Sequence, residues 1–456
     1  MLPGPTKIGV LQSAPEGFLS AEDIQSLKSG RRGFLRASLL AAGAAITAPV
    51  VAIDGAVDGA AEAEGDPAIL ELPPWTRSAG QGVAARPYGA PSIHEASKVR
   101  RDLPGMSSYA GNSVSFTPLQ NLFGIITPAG LHYERHHQGW HDIDPARHRL
   151  MINGSAPGML KAPMVYTLAD LLRLPSVSRI HFLECGGNTG MEWAGATMPT
   201  VQYTHGMLSC SEFTGVPLRV LLEASGVDFR KARYVLAEGA DGASLTRTIP
   251  MELVESDEVF VAYGQNGEML RPENGYPLRL VVPGVQGVSW VKWLRRIEVG
   301  DQPYATREET LHYVDLMPDG KLRQYSSVQE CKSVITAPSG GQKLLETGFY
   351  NITGLAWSGR GKVERVDVSV DGGKNWNTAR LESPVLDKAL TRFNFDWIWD
   401  GKPAVLQSRA IDSTGYVQPG ISELRAVRGT QSIYHNNAIQ SWQVQASGEV
   451  KNVQLG

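Results

Sequence analysis

The sequence predicts an α+β domain followed by a β-sandwich of immunoglobulin type. Between about residues 112 and 331 short helical faces alternate with apolar, strand-like runs. From about residue 332 an alternation in steps of two takes over, with no convincing helix. With 42% hydrophobic and 20% charged residues in a chain of 456, the composition is that of an ordinary globular protein of two or three domains, not of a disordered or fibrous one. A formal charge of -3 excludes a whole-molecule bias toward nucleic acid or anionic membrane. Three cysteines, Cys185, Cys210 and Cys331, exclude a disulfide framework, and no Cys-x-x-Cys-His motif is present to attach a c-type haem.

Residues 1–63 read as an export signal. Arg31-Arg32-Gly33-Phe34-Leu35-Arg36 precedes a weakly apolar run over 37–53 and a small-residue site at Ala61-Glu62-Ala63. This is the pattern of twin-arginine export, which carries folded proteins and would place the mature chain in the periplasm. The run is short for a membrane anchor. A basic pair opening an Ala-rich helix is the plainer alternative. Residues 64–111, rich in Pro, Gly, Ala and charge without periodicity, read as an extended N-terminal arm.

Within 112–331, the runs 116–124 and 150–154 bracket a polar stretch holding His132, Arg135, His136, His137 and His141. Thr167-Leu168-Ala169-Asp170 is a capping-box start for a helix with Leu168, Leu171 and Leu172 on one face, stopped by Pro175. The strand 179–184 ends abruptly at Cys185-Gly186-Gly187. Pro217 opens a second helix whose Leu218, Leu221 and Leu222 share a face, closed by Gly226. A strand over 234–238, a short helix from Pro250, a hairpin at Asn266-Gly267 and a buried strand over 278–282 complete the domain. In 332–456, Val366, Val368 and Val370 alternate up to an Asp371-Gly372 turn, and Phe393, Phe395, Trp397 and Trp399 alternate likewise before a strand over 404–411.

The glycine pair after Cys185 lets the backbone approach a ligand closely and presents a thiol at a strand end. Such a thiol serves as nucleophile, redox group or metal ligand, while a lone cysteine is most often a buried structural one. A cysteine hydrolase would pair it with a histidine, His181 and His205 being near in sequence only. The histidines at 132, 136, 137 and 141 allow a zinc site if they share a helical face, although Gly139 and Trp140 interrupt it. They equally suit a polar loop, or an anion-binding cluster together with Arg135. A non-catalytic, sandwich-bearing binding protein is the third class.

Several ordered motifs narrow these classes. The run Arg179 to Trp193, then Leu236-Ala237-Glu238-Gly239-Ala240-Asp241-Gly242, Tyr276-Pro277-Leu278-Arg279 through Gly284, and Val291-Lys292-Trp293 resemble the sulfite oxidase family of molybdenum enzymes. Trp357-Ser358-Gly359-Arg360-Gly361-Lys362 and Asp367 through Gly373 resemble that family's dimerisation domain. The likeness runs from about Thr117 to the C-terminus. The segments 130–137, 202–207 and 434–440 resemble the family's branch of sulfane (sulfite) dehydrogenase molybdenum subunits from bacterial thiosulfate-oxidising systems.

The resemblance implies a sulfite-oxidase-type molybdopterin domain, residues 112–331, and an immunoglobulin-like dimerisation domain, residues 332–456. It implies a Mo-molybdopterin cofactor with Cys185 as the protein ligand to the metal. It assigns Arg135 and His137 to the cofactor and substrate pocket, Asp241, Arg279 and Lys292 to the pterin and its phosphate, and Ser289, Trp290 and Val291 to backbone contacts. Arg360 and Lys362 are candidates to reach the pocket from the second domain. Asn274 stands where many relatives have histidine and Asn437 where they have a substrate-binding arginine, while Tyr304 and Tyr313 are the candidates for the active-site tyrosine. These departures imply a sulfane or sulfonate sulfur carried on a partner protein's cysteine, with free sulfite as the alternative. The implied partners are a c-type cytochrome subunit, a sulfur-carrier protein or small sulfur anion, and a second copy of the chain within a heterotetramer.

Overall fold

The computed structural model describes residues 11–12, 91–103, 112–324, 328–430 and 432–455. The twin-arginine signal and its cleavage site, read over 31–63, lie outside the described residues, as does most of the arm. Residues 44–97 form a unit of their own, whose described part is a 3-10 turn, Ile93–Glu95, capped by the Ser92 hydroxyl. Everything else described belongs to one compact unit.

From residue 98 onward its strands are β1 (Arg101–Asp102), β2 (Ser113–Phe116), β3 (Arg135–His136), β4 (Leu150–Gly154), β5 (Met164–Tyr166), β6 (Val177–Glu184) and β7 (Leu208–Pro217). Then come β8 (Tyr234–Gly239), β9 (Thr246–Pro250), β10 (Phe260–Gln265), β11 (Glu268–Met269), β12 (Arg279–Val281) and β13 (Leu294–Gly300). Among the described residues they form a small sheet β1-β2-β3 and two larger sheets: β9-β8-β13-β4-β5, and β11-β10-β7-β6 with β12 paired to β10. The end of the arm is thus already a strand, with Arg101 opposite Phe116.

Local chemistry explains the elements. The helix α1 (Leu168–Leu171) starts with the expected capping box, Thr167 and Asp170 satisfying each other's backbone N–H. Leu168 and Leu171 are buried, but Leu172 is 51% exposed, because the helix ends before a further turn can carry it inward. The helix α2 (Leu218–Ala224) follows Pro217 and buries Leu218, Leu221 and Leu222 completely. Asn266 and Gly267, both at positive φ, make the tight turn between β10 and β11.

The second domain is a sandwich. One sheet contains β14 (Lys332–Ala337), β15 (Gly348–Trp357) and, beyond β16 (Val363–Ser369) in sequence, β17 (Thr391–Trp399). The other pairs β16 with β18 (Ala404–Asp412), then β19 (Ser441–Val444) and β20 (Val450–Val453). The expectation of no helix here is corrected by α3 (Ile421–Arg428). Only Ile421, Leu424 and Arg428 of it are buried, so its apolar period is too thin to read from sequence.

Strands β6 and β7 join the two domains. Leu183, Phe213 and Val216 face the first core, whereas Phe182, Leu208 and Cys210 pack into the sandwich core with Cys331 and Trp357. The adjacent pair Phe182 and Leu183 shows the cause, neighbouring residues pointing to opposite faces of a sheet covered on both sides. Cys210 and Cys331 are free, buried thiols and do not pair.

Candidate active site

Where β6 ends, the chain turns through Cys185, Gly186 and Gly187. The Cys185 N–H donates to the Met207 carbonyl at 3.0 Å, and the Asn188 N–H donates back to the Cys185 carbonyl at 2.9 Å. The thiol side of this turn lines a cavity with His132, Tyr133, Arg135, His137, Glu273, Asn274, Arg279, Gly287, Trp290, Val291, Lys292 and Tyr313. The enclosed space there is narrow, about 70 Å³.

The lining is cationic. Arg279, 2% exposed on β12, donates to the carbonyls of Asn274 (3.0 Å) and Trp290 (3.3 Å) and lies over the Phe213 and Trp290 rings. Burial pulls its pKa down to about 10. Lys292 donates to the carbonyls of Arg135 (3.3 Å) and Glu273 (3.1 Å) and to His136 Nδ1 (2.8 Å). Those acceptors are neutral, so burial, reinforced by the Arg279 charge, lowers its pKa to about 7. His136 passes its other ring nitrogen to Glu134 at 2.7 Å. Arg135 donates to Asn112 Oδ1 and the His136 carbonyl, both at 2.5 Å. Burial first, and neighbouring cations second, bring His132 and His137 down to about 3, so both imidazoles are neutral at physiological pH. Cys185 feels opposing effects: burial raises its pKa, the Gly187 N–H and the Arg135 charge lower it, and burial wins.

Of the residues singled out in the sequence, Cys185, Arg135, His137, Arg279, Trp290, Val291 and Lys292 come together on this cavity. Ser289 and Asp241 stand outside its lining. Ser289 is buried in the turn Gly287–Ser289, and Asp241 accepts from the Leu245 N–H at 3.1 Å, holding the turn that brings Leu245 to the cavity. Of the two candidate tyrosines Tyr313, not Tyr304, lines the cavity; it stacks on Tyr434 at 4.5 Å, and burial raises its pKa. Asn274 lines the cavity, whereas Asn437 is buried elsewhere, donating to the Cys331 carbonyl and the Tyr416 hydroxyl. Arg360 and Lys362 do not reach the cavity: Arg360 pairs with Glu330 at 3.2 Å and Lys362 is exposed. Tyr133 was missed by sequence reasoning. Its signal was weak, an aromatic two residues before Arg135 in a stretch without clear period.

The competing chemistries lose their geometry. His181 contacts the Lys388 carbonyl and His205 the Thr204 hydroxyl, and neither lines the cavity with Cys185. Among the described residues no cluster of three metal-ligating side chains occurs, and the histidines from 132 to 141 do not share a helix.

The cavity fits a phosphate-bearing, soft-metal cofactor. Arg279 Nε, His132 Nε2 and Asn274 Nδ2 are buried without a partner, an expensive arrangement unless a ligand supplies acceptors and donors. A Cβ at Gly287 would meet the Tyr133 hydroxyl at 2.8 Å and the Glu184 carbonyl at 3.0 Å, so the wall is held open only by glycine. A single thiol opposite three cations pairs a soft ligand with a phosphate cradle.

Comparison with known proteins agrees with this fit. Residues 137–308 match the oxidoreductase molybdopterin binding domain, and residues 323–442 match the Mo-co oxidoreductase dimerisation domain. The chain is 31% identical to mitochondrial sulfite oxidase of Rattus norvegicus over 80% of its own length and 69% of that protein. It is 33% identical to the NADH nitrate reductase of Solanum lycopersicum over 62% of its length, but spans only 34% of that protein. The sulfite oxidase of Mus musculus is covered over 60% of its length. The crystal structure of the sulfane dehydrogenase SoxCD from Paracoccus pantotrophus superposes with a TM-score of 0.82 at 48% identity, covering 86% of this chain and 100% of that one.

Proposed function

Since the chain belongs to the sulfite oxidase family of molybdopterin oxidoreductases, we infer that it oxidises reduced sulfur, sulfane or sulfite, towards sulfate. The observation that carries this reading is the convergence of Cys185 with Arg135, Arg279 and Lys292 on one cavity. When bound there, a molybdenum-pterin group supplies oxygen-atom transfer and two-electron redox chemistry.

The chain's own residues do the rest. Cys185 offers the metal a thiolate; binding must remove a proton that burial otherwise holds on the sulfur. Arg279 and Lys292 hold negative charge in a dry setting where each is worth more than in water. Arg135, half-buried at the cavity, orients an incoming sulfur oxyanion, and Tyr313 with its stacked partner Tyr434 closes one wall against water.

Sulfur carried on a partner protein's cysteine is the preferred substrate. The 48% identity to a sulfane dehydrogenase, against 33% to a nitrate reductase, supports it, as does neutral Asn274 on the cavity. The substitution at Asn437 no longer bears on the question, because that side chain lies elsewhere. Free sulfite is the second reading, favoured by a lining with three cations. The proposed setting is the periplasm, with a c-type cytochrome as electron acceptor and the sandwich pairing two chains; the match to a dimerisation domain supports the last.

Metal analysis of the purified chain tests the cofactor. About one molybdenum per chain is expected, lost in Cys185→Ser; zinc in its place defeats the reading. Steady-state kinetics then separate substrates: free sulfite turned over as efficiently as carrier-bound sulfur would select the second reading, and nitrate reduction would displace both.

A further inference from the structure

The metal-ligand turn is built from the least self-supporting residues available, a cysteine followed by two glycines, and something must hold it. Part of the hold is local: Asn188 Oδ1 accepts from the Met207 N–H at 3.2 Å, and Asn188 Nδ2 donates to Glu184 Oε1 at 2.9 Å. Glu184 directly precedes Cys185 and is 2% exposed. Its remaining partners come from the other domain. Lys332 Nζ donates to Oε1 at 2.8 Å, and the Trp357 indole N–H donates to Oε2 at 2.8 Å. Lys332 and Trp357 are register partners on β14 and β15, so they leave one face of the sandwich side by side. Lys332 also donates to the Thr189 hydroxyl at 2.8 Å, on the far side of the turn, where Thr189 sits at φ 60, a conformation costly for a β-branched residue. Lys332 therefore bridges both ends of the segment 184–189.

We propose that Lys332 is a positioning residue for Cys185, acting through Glu184 and Thr189, so that the sandwich domain holds the metal's protein ligand in place. The proposal rests on the molybdenum reading above. A buried ion pair contributes little net stability over apolar groups of similar size, so its consequence here is directional. Two carboxylate oxygens and one ammonium fix the strand end that presents the thiol.

The test uses the full chain purified with its cofactor, in Lys332→Met, in the double variant Glu184→Gln/Lys332→Met, and in Trp357→Phe. The double variant leaves no buried charge unpaired and separates positioning from charge burial. It is expected to melt close to the wild type, to show shifted g-values of the Mo(V) electron paramagnetic resonance signal, and to lose kcat about tenfold, the usual cost of removing a group that orients a metal ligand, with KM little changed. Wild-type g-values and kcat in the double variant overturn the proposal. Should that variant not fold, Lys332→Met alone is read: an unshifted signal and wild-type kcat there overturn the proposal equally, while Trp357→Phe, which removes the indole N–H but keeps a six-membered aromatic ring, reports how much of the hold on Glu184 comes from its second oxygen. If the wild type carries no molybdenum, the functional reading fails while positioning is still measured on the thiol. Iodoacetamide alkylation of Cys185, followed by peptide mass spectrometry in the cofactor-free chain, is then expected to run about tenfold faster in the double variant, again the scale of an orienting group, and an unchanged rate sinks the idea.

Discussion

Lys292 shows what a single buried charge imposes. Its three acceptors are neutral and its pKa falls to about 7, so the lysine is charged in the unfolded chain up to its ordinary pKa but loses its proton in the folded one near neutrality. Below pH 7 both states carry the proton and the folded state bears the cost of burying it. Above pH 7 the unfolded state binds more protons, so this group's penalty is relieved as pH rises towards the ordinary lysine value. Denaturant titrations of the cofactor-free protein at pH 6.5 and 9 should therefore show the wild type gaining stability relative to Lys292→Met at the higher pH, and a gap independent of pH would contradict a buried charge held only by neutral acceptors. A bound phosphate reverses the sign, because an anion restores the proton.

At the scale of elements, burial separates residues that the sequence treats alike. Leu221, fully buried on α2, should cost about 2–5 kcal/mol on truncation to alanine. Leu172, given the same inward face by its spacing but half-exposed, should stay within about 0.5 kcal/mol. Chemical denaturation of the two variants measures both. The same contrast explains what was legible. Caps, turns and fully apolar faces are local, so the Thr167 box, α2 and the Asn266-Gly267 hairpin were readable from a few neighbouring residues. α3 was not, because its inward face includes Arg428, whose partner Asp315 is distant in sequence. At the cavity, cysteine and cations were found by family order. Tyr133, the rejection of Tyr304 and the withdrawal of Asn437 needed the third dimension, since each depends on which strand happens to lie alongside.

The whole molecule is knitted across its two domains. Arg392 of β17 donates to the carbonyls of Leu122 and Gly124 at 3.0 and 2.9 Å, Lys388 meets Glu258 at 2.6 Å, and Asn452 meets Glu192 at 2.9 Å. Phe182 and Cys210 belong to the sandwich core although β6 and β7 belong to the first domain. Gly284 and Gly359 touch back to back, such that a Cβ on Gly359 would lie 2.1 Å from the Gly284 carbonyl oxygen. Two domains sharing a core should unfold together. Calorimetry and tryptophan fluorescence of the cofactor-free chain are expected to report one coincident transition, lowered by Gly359→Ala; two resolved transitions would show that the domains are independent.

The hold on the Cys185 turn also has an order in time. The turn is synthesised with β6, Lys332 follows much later, and the loop carrying His435, whose N–H donates to the Gly186 carbonyl at 2.7 Å, later still. At about 5–20 residues per second the thiol waits roughly 10–50 s for its last clamp to leave the ribosome. During the first part of that interval, until Lys332 and Trp357 emerge, the nascent chain bears a loosely held cysteine beside a Glu184 that has only Asn188 for a partner. A chain broken off before His435 keeps the Lys332 and Trp357 bonds to Glu184 but never gains the clamp on Gly186, which makes the far end of the sandwich part of the schedule on which the Cys185 turn is secured.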